Sequence, residues 1–358
     1  GYSSQRAMSS LDHVVIGSGR LDASAPLIAE LAPTKRVFLC ADQTVMKILG
    51  ERVISILTAG GLEVRSYSFP PGEASKSLQI ATQLYDWLAM EQAERQEPIV
   101  ALGGGVTGDL VGFVAATFGR GVPLIHIPTT LLAQIDSSIG GKVAVDIEAG
   151  KNLVGAFYPA SLVIVDPDLL ETLEPPQLVA DYAEVIKTAV IFDHEMFSHI
   201  ESSKTDLRDS NLLANLVERC VHWKAQVVDQ DPEDHGPRAV LNYGHTIAHA
   251  LETTTGYGSY RHGEAVSIGV VGAGRLSVHI GRWPQSDAAR QEQLLEDIGL
   301  PTRFSGAAVA AVFGAMRRDK KVKAGRIRWV LPDAIGHASF GLEIEDTLVL
   351  DVLHELAQ

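Results

Sequence analysis

"PIVALGGGVTGDLVGFVAA" (98–116) carries an apolar strand-like run into three consecutive glycines and leaves them as a helical pattern. Gly103, Gly105 and Gly108 match G-x-G-x-x-G between a strand and a helix. In that context the backbone can approach a pyrophosphate, and the helix start offers N–H groups and a partial positive charge. A dinucleotide is the guest this suggests; a tight βα turn that binds nothing is the plain alternative. The acidic ribose ligand expected about 20 residues further on is missing, because "IHIPTT" (125–130) stands there. Asp42, at the end of "RVFLCAD" (36–42), offers that contact from an earlier strand, and Thr129 and Thr130 end a later one. Ligands gather at the carboxyl ends of parallel strands, so these positions suit the task.

Outward from the glycines, short apolar runs recur: "RVFLCAD", "LEVRSYSFP" (62–70), "EPIVALGGG" (97–105), "VPLIHIPTT" (122–130) and "SLVIVDP" (161–167). The helical stretch "SLQIATQLYDWLAM" (77–90) separates two of them. Strand and helix in alternation imply βαβ units and a parallel sheet. Beyond residue 167 strand signals nearly vanish, and helical periodicity runs from "PPQLVADYAEVIKTAVI" (175–191) to "VLHELAQ" (352–358). A boundary is therefore expected near 170, at "ETLEPPQ" (171–177). The expected fold class is an α/β nucleotide-binding domain with a parallel sheet over 1–170, followed by a mostly α-helical domain over 171–358. The full 358 residues exceed what one hydrophobic core usually organises.

Lys and Arg number 30 against 44 Asp and Glu, a net charge of −14. That balance argues against nucleic acid or an anionic membrane as the main partner, so an anionic ligand needs a local basic cluster. The two cysteines, Cys40 and Cys220, suit packing in a reducing compartment better than a disulfide, and cytoplasm is the expected location. No basic-then-apolar leader and no bilayer-spanning run is apparent; "GYSSQRA" ahead of Met8 is set aside as a remnant of expression.

"LNYGHTIAHALE" (241–252) places two histidines four apart. Drawn as one helix from Arg238, at about 100° per residue, Arg238, Asn242, His245, His249 and Glu252 share a narrow polar stripe. The other faces are uncharged, so the helix is expected to be buried with its stripe on an internal cavity. Two core histidines satisfied by hydrogen bonds are the bland alternative. A peptidase helix is disfavoured, because Thr246 stands where the glutamate after the first His is required. Further metal ligands are offered by "YAEVIK", with Glu184 and Lys187 on one face, and by "RHGEAV", with His262. Two imidazoles and a carboxylate with an open position form a catalytic zinc set. The remaining stripe residues would then contact substrate.

"GGKVAVDIEAGKNLVGAF" (140–157) sets Lys142 and Lys151 in a glycine-bearing, hairpin-like stretch. Lys187, Lys224 and Arg238 fall in helical patterns, Arg120 in "FGRG", and Lys320 and Lys321 after Asp319. Singly each reads as a solvated cation; convergence of several would mark a phosphate- or carboxylate-bearing substrate.

"GGGVTGD", "PTTLLAQIDSSIGGK", "GKNLVGAF", "AEVIK", "LNYGHTIAHALE", "RHGEA" and "DKKVKAGRIRWVLP" occur in this order. Together they resemble the 3-dehydroquinate synthase family of sugar phosphate cyclases, over residues 35 to 335. The resemblance implies a homodimer that uses NAD and a divalent metal, usually zinc, with cobalt as the alternative. It implies conversion of the phosphorylated sugar acid DAHP to 3-dehydroquinate and phosphate, a lyase step of the shikimate pathway. It assigns Glu184, His245 and His262 to the metal and leaves His249 for substrate or proton transfer. Its NAD positions are Asp42, Glu73 and Lys76; Gly104, Gly105, Val106, Thr107, Gly108 and Asp109; Thr129 and Thr130; Lys142 and Lys151; and Leu169, Leu170, Glu171 and Thr172. For the substrate it implies Asp136, Lys142, Lys151, Asn152, Lys187, Lys224, Arg238, Asn242 and Lys320 or Lys321, with Arg120 reaching the neighbouring subunit's site.

Arg238, Asn242, His249 and the "DKK" lysines match the set that distinguishes a carboxylated substrate from those of sister cyclases. The chain carries Asp146 where many relatives have Asn, and Arg261 where many have Leu. The rivals are a related cyclase acting on another sugar phosphate, a metal-dependent polyol dehydrogenase, which would accumulate NADH, and a catalytically silent NAD-binding protein.

Overall fold

The computed structural model describes residues 9–319 and 325–358. Its strands are β1 (Val14–Ile16), β2 (Arg36–Asp42), β3 (Glu63–Phe69), β4 (Ile99–Gly103), β5 (Leu124–Pro128), β6 (Lys142–Ile147), β7 (Gly150–Phe157), β8 (Leu162–Val165), β9 (Trp329–Ala334) and β10 (His337–Leu342). The chain divides into two compact units, one of residues 1–173 with 213–229, the other of 174–212 with 230–358.

In the first unit six strands form one sheet in the order β1-β8-β5-β4-β2-β3, every pair parallel. Both faces are covered, which explains why β4 and β5 are buried at every position and read as unbroken apolar runs. Alternation shows within β2. Phe38 and Cys40 join a core with helices Leu78–Met90 and Gly105–Thr117, while Val37, Leu39 and Ala41 join another with helices Ala25–Leu31 and Glu51–Ala59. Trp87 meets Phe38 edge-on, with ring centroids 5.5 Å apart.

The β2–β3 pair runs outward from the sheet centre and the chain then crosses back to β4. The strand order therefore reverses between β2 and β4, the topological switch point where open α/β sheets bind ligands. Asp42 and Gly103 end the two strands that flank it. Arg36 and Glu97 lock the opposite ends, Nε and Nη2 donating to Glu97 Oε1 and Oε2 at 2.9 and 2.8 Å. Burial of Glu97 favours its neutral form, but Arg36, the Glu94 N–H and Thr34 hold its pKa below the usual carboxylate value.

β6 and β7 make the expected hairpin, packed on helix Gly105–Thr117. Gly112 permits that approach, since a Cβ there would lie 2.4 Å from Val143 Cγ1.

The second unit is helical, with Pro175–Phe192, His194–Ser203, His245–Thr255, His262–His279, Gln285–Ile298, Val309–Arg318 and Asp346–Leu356. Two features depart from the sequence reading. β9 and β10 pair antiparallel in the half expected to be mostly helical, and residues 213–229 of helix Ser210–Gln230 belong to the first unit. The latter assignment is tertiary: Ser9 Oγ and the Ser10 N–H donate to Asp229 at 2.6 and 2.7 Å, and Lys224 pairs with Asp136. Among the described residues no helix is long and apolar enough to cross a membrane.

Candidate active site

Three helices of the second unit bring donor atoms together. Glu184, 2% exposed, lies midway along Pro175–Phe192, and His245 and His262 open the helices that bear their names. Glu184 Oε1 is 3.2 Å from Nε2 of each imidazole, and one ligand atom from each of the three lies within 4.8 Å of the others. The far nitrogens are anchored. His245 Nδ1 is 3.1 Å from the Tyr243 carbonyl oxygen, and His262 Nδ1 is 3.2 Å from Glu252 Oε1. A carbonyl or carboxylate oxygen can only accept, so each Nδ1 donates and each Nε2 is turned to the shared centre.

Lys187 pairs with the other Glu184 oxygen and donates to the Leu241 carbonyl at 2.9 Å. Burial pushes His245 down to about 4, against the pull of Glu184. Burial also disfavours charge on His262, yet hydrogen bonds to Glu184 and Glu252 raise it to about 10. Burial likewise favours neutral Glu184, but Lys187 and the imidazoles hold it well below the usual carboxylate range. A carboxylate and two oriented imidazoles make three protein ligands, a set that fits zinc or cobalt in an open catalytic site rather than a closed structural one.

The single polar stripe drawn from Arg238 to Glu252 is not what forms. Residues Pro237–Asn242 are a 3₁₀ turn, Tyr243 is non-helical, Gly244 takes φ 78°, and the α-helix starts only at His245. The break is set by helix His262–His279. A Cβ on Gly244 would sit 2.8 Å from Val270 N, and one on Gly269 would sit 1.9 Å from the Gly244 oxygen. Arg238 and Asn242 therefore leave the stripe. Arg238 is 3% exposed, its N–H donating to Asp231 and Nη1 to the Pro232 carbonyl.

Within the helix the phase holds. His245 and His249 rings lie 5.5 Å apart, and His249 Nδ1 faces Asp319 Oδ2 at 3.8 Å rather than Glu184. Glu252, expected to contact substrate, instead buttresses His262. Its place about two helical turns after His245 put it on the right face, but nothing in the sequence named its partner. Lys320 and Lys321 lie outside the described residues.

In the first unit the glycine turn follows β4. Gly103 has φ 156°, Gly104 caps helix Gly105–Thr117 without any side-chain bond to its first turn, and Thr129 N–H donates to the Gly103 carbonyl. Space over the turn is narrow: a Cβ on Gly104 would meet Thr130 Cγ2 at 3.0 Å and one on Gly105 would meet Ser137 Oγ at 3.3 Å. This backbone cradle suits a pyrophosphate and would be filled by side chains. Buried Lys76 reaches Asp109 at 2.7 Å in the same helix's first turns. Val106 is half-buried and Thr107 buried in that turn, and Gly108 packs on buried His126.

Asp42 spends one carboxylate oxygen on the Val45 N–H at 2.8 Å. Leu169 and Leu170 are each 1% exposed, so of the four 169–172 residues only Glu171 and Thr172 present side chains to solvent within this unit. Lys142 is exposed on β6, Lys151 lies 3.4 Å from Glu73, and Asn152 takes a left-handed φ of 57°. Exposed Arg120 is also left-handed, φ 65°, at the end of the turn Phe118–Arg120.

A parallel-sheet unit with a glycine turn at its switch point, joined to a helical unit with an imidazole–carboxylate triad, is the architecture of the sugar phosphate cyclases. The chain is similar to 2-epi-5-epi-valiolone synthase from Streptomyces hygroscopicus subsp. jinggangensis, solved with NAD+ and Zn2+ bound, at TM-score 0.89 and 26% identity over 99% of both chains. It is also similar to a 2-deoxy-scyllo-inosose synthase complexed with carbaglucose-6-phosphate, NAD+ and Co2+, at TM-score 0.85 and 26% identity over 96% of both chains.

Family models described as 3-dehydroquinate synthase N-terminal and C-terminal match residues 66–180 and 181–322. The 3-dehydroquinate synthase of Nostoc punctiforme is 45% identical over 345 residues, 95% of each chain. The chain belongs to the 3-dehydroquinate synthase family.

Proposed function

We infer that this protein is a 3-dehydroquinate synthase, converting DAHP to 3-dehydroquinate and phosphate in the shikimate pathway, with NAD and a divalent metal as resident cofactors. The observation that carries this reading is the convergence of Glu184 Oε1 with both Nε2 atoms in a chain of this family. When bound, NAD takes and returns a hydride within one turnover, and zinc or cobalt acidifies the hydroxyls and polarises the carbonyl it touches.

The rest is the work of the chain's own groups. Glu184, His245 and His262 hold the cation, and Lys187 fixes the second carboxylate oxygen of Glu184. The turn Gly104–Asp109 and the start of its helix receive the pyrophosphate, with Asp42, Glu73, Lys76, Thr129, Thr130, Lys142, Lys151 and residues 169–172 completing the nucleotide site. Asn152, Arg238, Asn242, Lys142, Lys151, Lys187, Lys224 and a "DKK" lysine bind the phosphate, carboxylate and hydroxyls of the substrate, and Asp136 orients Lys224. His249 has a side chain 40% exposed and outside the triad, so it can accept or deliver a proton at a ring nitrogen.

Supporting a homodimer, β7 is an open hairpin edge with Leu153 and Phe157 42% and 54% exposed, apolar surface that a second copy would cover. Arg120 would reach the neighbouring subunit's site. Cys40 and Cys220 are buried and form no disulfide, which supports a reducing cytoplasm.

Incubation with DAHP, NAD+ and zinc is expected to release phosphate while NADH absorbance stays flat, and a chelator is expected to stop it. Steady NADH accumulation would refute the cyclase reading in favour of a dehydrogenase.

A further inference from the structure

Lys151 and Asn152 do not lie in regular strand. β6 and β7 pair at Val145↔Val154 and again at Ile147↔Gly150, so one residue of β6, Asp146, faces three of β7, Lys151 to Leu153. The extra residues form a bulge, a device that re-aims side chains at the cost of ladder hydrogen bonds. Asp146 supplies what the ladder loses. Its carboxylate Oδ1 accepts the Asn152 N–H at 2.9 Å, and Asn152 takes a φ of 57°, a left-handed conformation uncommon outside glycine and best tolerated by Asn and Asp. Its own N–H turns away from β7 and donates to the Lys76 carbonyl at 2.9 Å, forming the Ser77↔Asp146 bridge. That bridge ties the hairpin to the segment carrying Glu73 and Lys76, and Glu73 in turn meets Lys151 at 3.4 Å.

We propose that Asp146 is the positioning residue of this site, holding the Lys151–Asn152 bulge so that both side chains are presented to the bound anionic substrate. The proposal rests on the functional reading above for what the bulge contacts, but the positioning itself is a property of the hairpin. Without the carboxylate, Asn152 N–H has no ladder partner to return to, and the left-handed residue relaxes toward extended backbone. Asp146→Asn keeps an oxygen acceptor in the same place; Asp146→Ala removes it.

Two measurements on the full-length protein loaded with NAD+ and zinc decide the matter. In hydrogen exchange, the Asn152 amide is expected to be protected in the wild type and in Asp146→Asn, and to lose protection in Asp146→Ala. In steady-state kinetics, Asp146→Ala is expected to raise KM for DAHP about ten-fold, the scale of one hydrogen bond to a charged group, with a smaller change in kcat and with recovery in Asp146→Asn. Retained protection of Asn152 in Asp146→Ala overturns the positioning claim, and an unchanged KM overturns its link to substrate. If the wild type does not turn over DAHP, the functional reading has failed and the exchange data alone judge Asp146.

Discussion

Glu252→Ala removes the acceptor of His262 Nδ1–H while leaving the candidate metal ligands Glu184, His245 and His262 in place. Glu252 Oε1 stands 3.2 Å from that nitrogen, and its side chain is only 15% exposed, so no bulk water freely replaces it. Without it the ring can rotate or exchange tautomers, and Nε2 no longer points by default at Glu184 Oε1. Loss of such an orienting partner typically weakens metal binding 10- to 100-fold, about 1.4–2.8 kcal/mol. Part of the loss is offset, because Glu252 also helps raise His262 to about 10 and its removal makes deprotonation of the ring easier. A net weakening of about ten-fold is therefore expected. Glu252→Gln keeps an oxygen acceptor and is expected to lie within a few-fold of the wild type. The assay is zinc competition between apo-protein and a chromophoric chelator at fixed pH, with circular dichroism to confirm folding. Wild-type zinc affinity in Glu252→Ala would refute the buttressing role, as would an equal loss in Glu252→Gln.

Other expectations follow from particular contacts. His245→Ala should lose bound zinc while His249→Ala retains it, measured by metal content after dialysis; equal loss in both would overturn the ligand set. His126, buried on β5, is pushed down to about 4, so the folded state refuses a proton that the unfolded chain accepts below about 6.5. Its contribution is whole above pH 6.5 and is lost as pH falls toward 4, a total of about 3 kcal/mol. Urea titrations of wild type and His126→Leu should differ in pH dependence by about 2 kcal/mol between pH 6.5 and 5, and parallel curves would refute the assignment. Gly269→Ala would drive a Cβ to 1.9 Å from the Gly244 oxygen and should cost about 3 kcal/mol or more, read as a lowered Tm with weaker zinc binding.

The parallel sheet and the glycine turn were legible because each depends on local pattern. Five strand-like runs became β2, β3, β4, β5 and β8, and Ser77 caps helix Leu78–Met90 through the Ile80 N–H, as its position ahead of an apolar repeat suggests. The short edge strand β1 and the β9–β10 hairpin were not legible: three residues give too little period, and "WVLPDAIGHASFGL" has its strand character set by pairing and bulges.

Chemistry shows the same division. The amino-acid order alone determined which residue types are available, a glycine cradle, two imidazoles four apart, Glu184 and Lys187 on one helical face, because these follow from composition and short-range spacing. Only the tertiary structure decided which imidazole turns to Glu184, that the helix begins at His245 rather than Arg238, that Glu252 serves His262, and that Asp146 holds Asn152. Each of those outcomes depends on a backbone or side chain of another element arriving within a few ångströms, as Val270 does at Gly244, Glu252 at His262 and Lys76 at Asp146. Contacts between residues far apart in the chain are fixed by packing the whole core, and no local period encodes them.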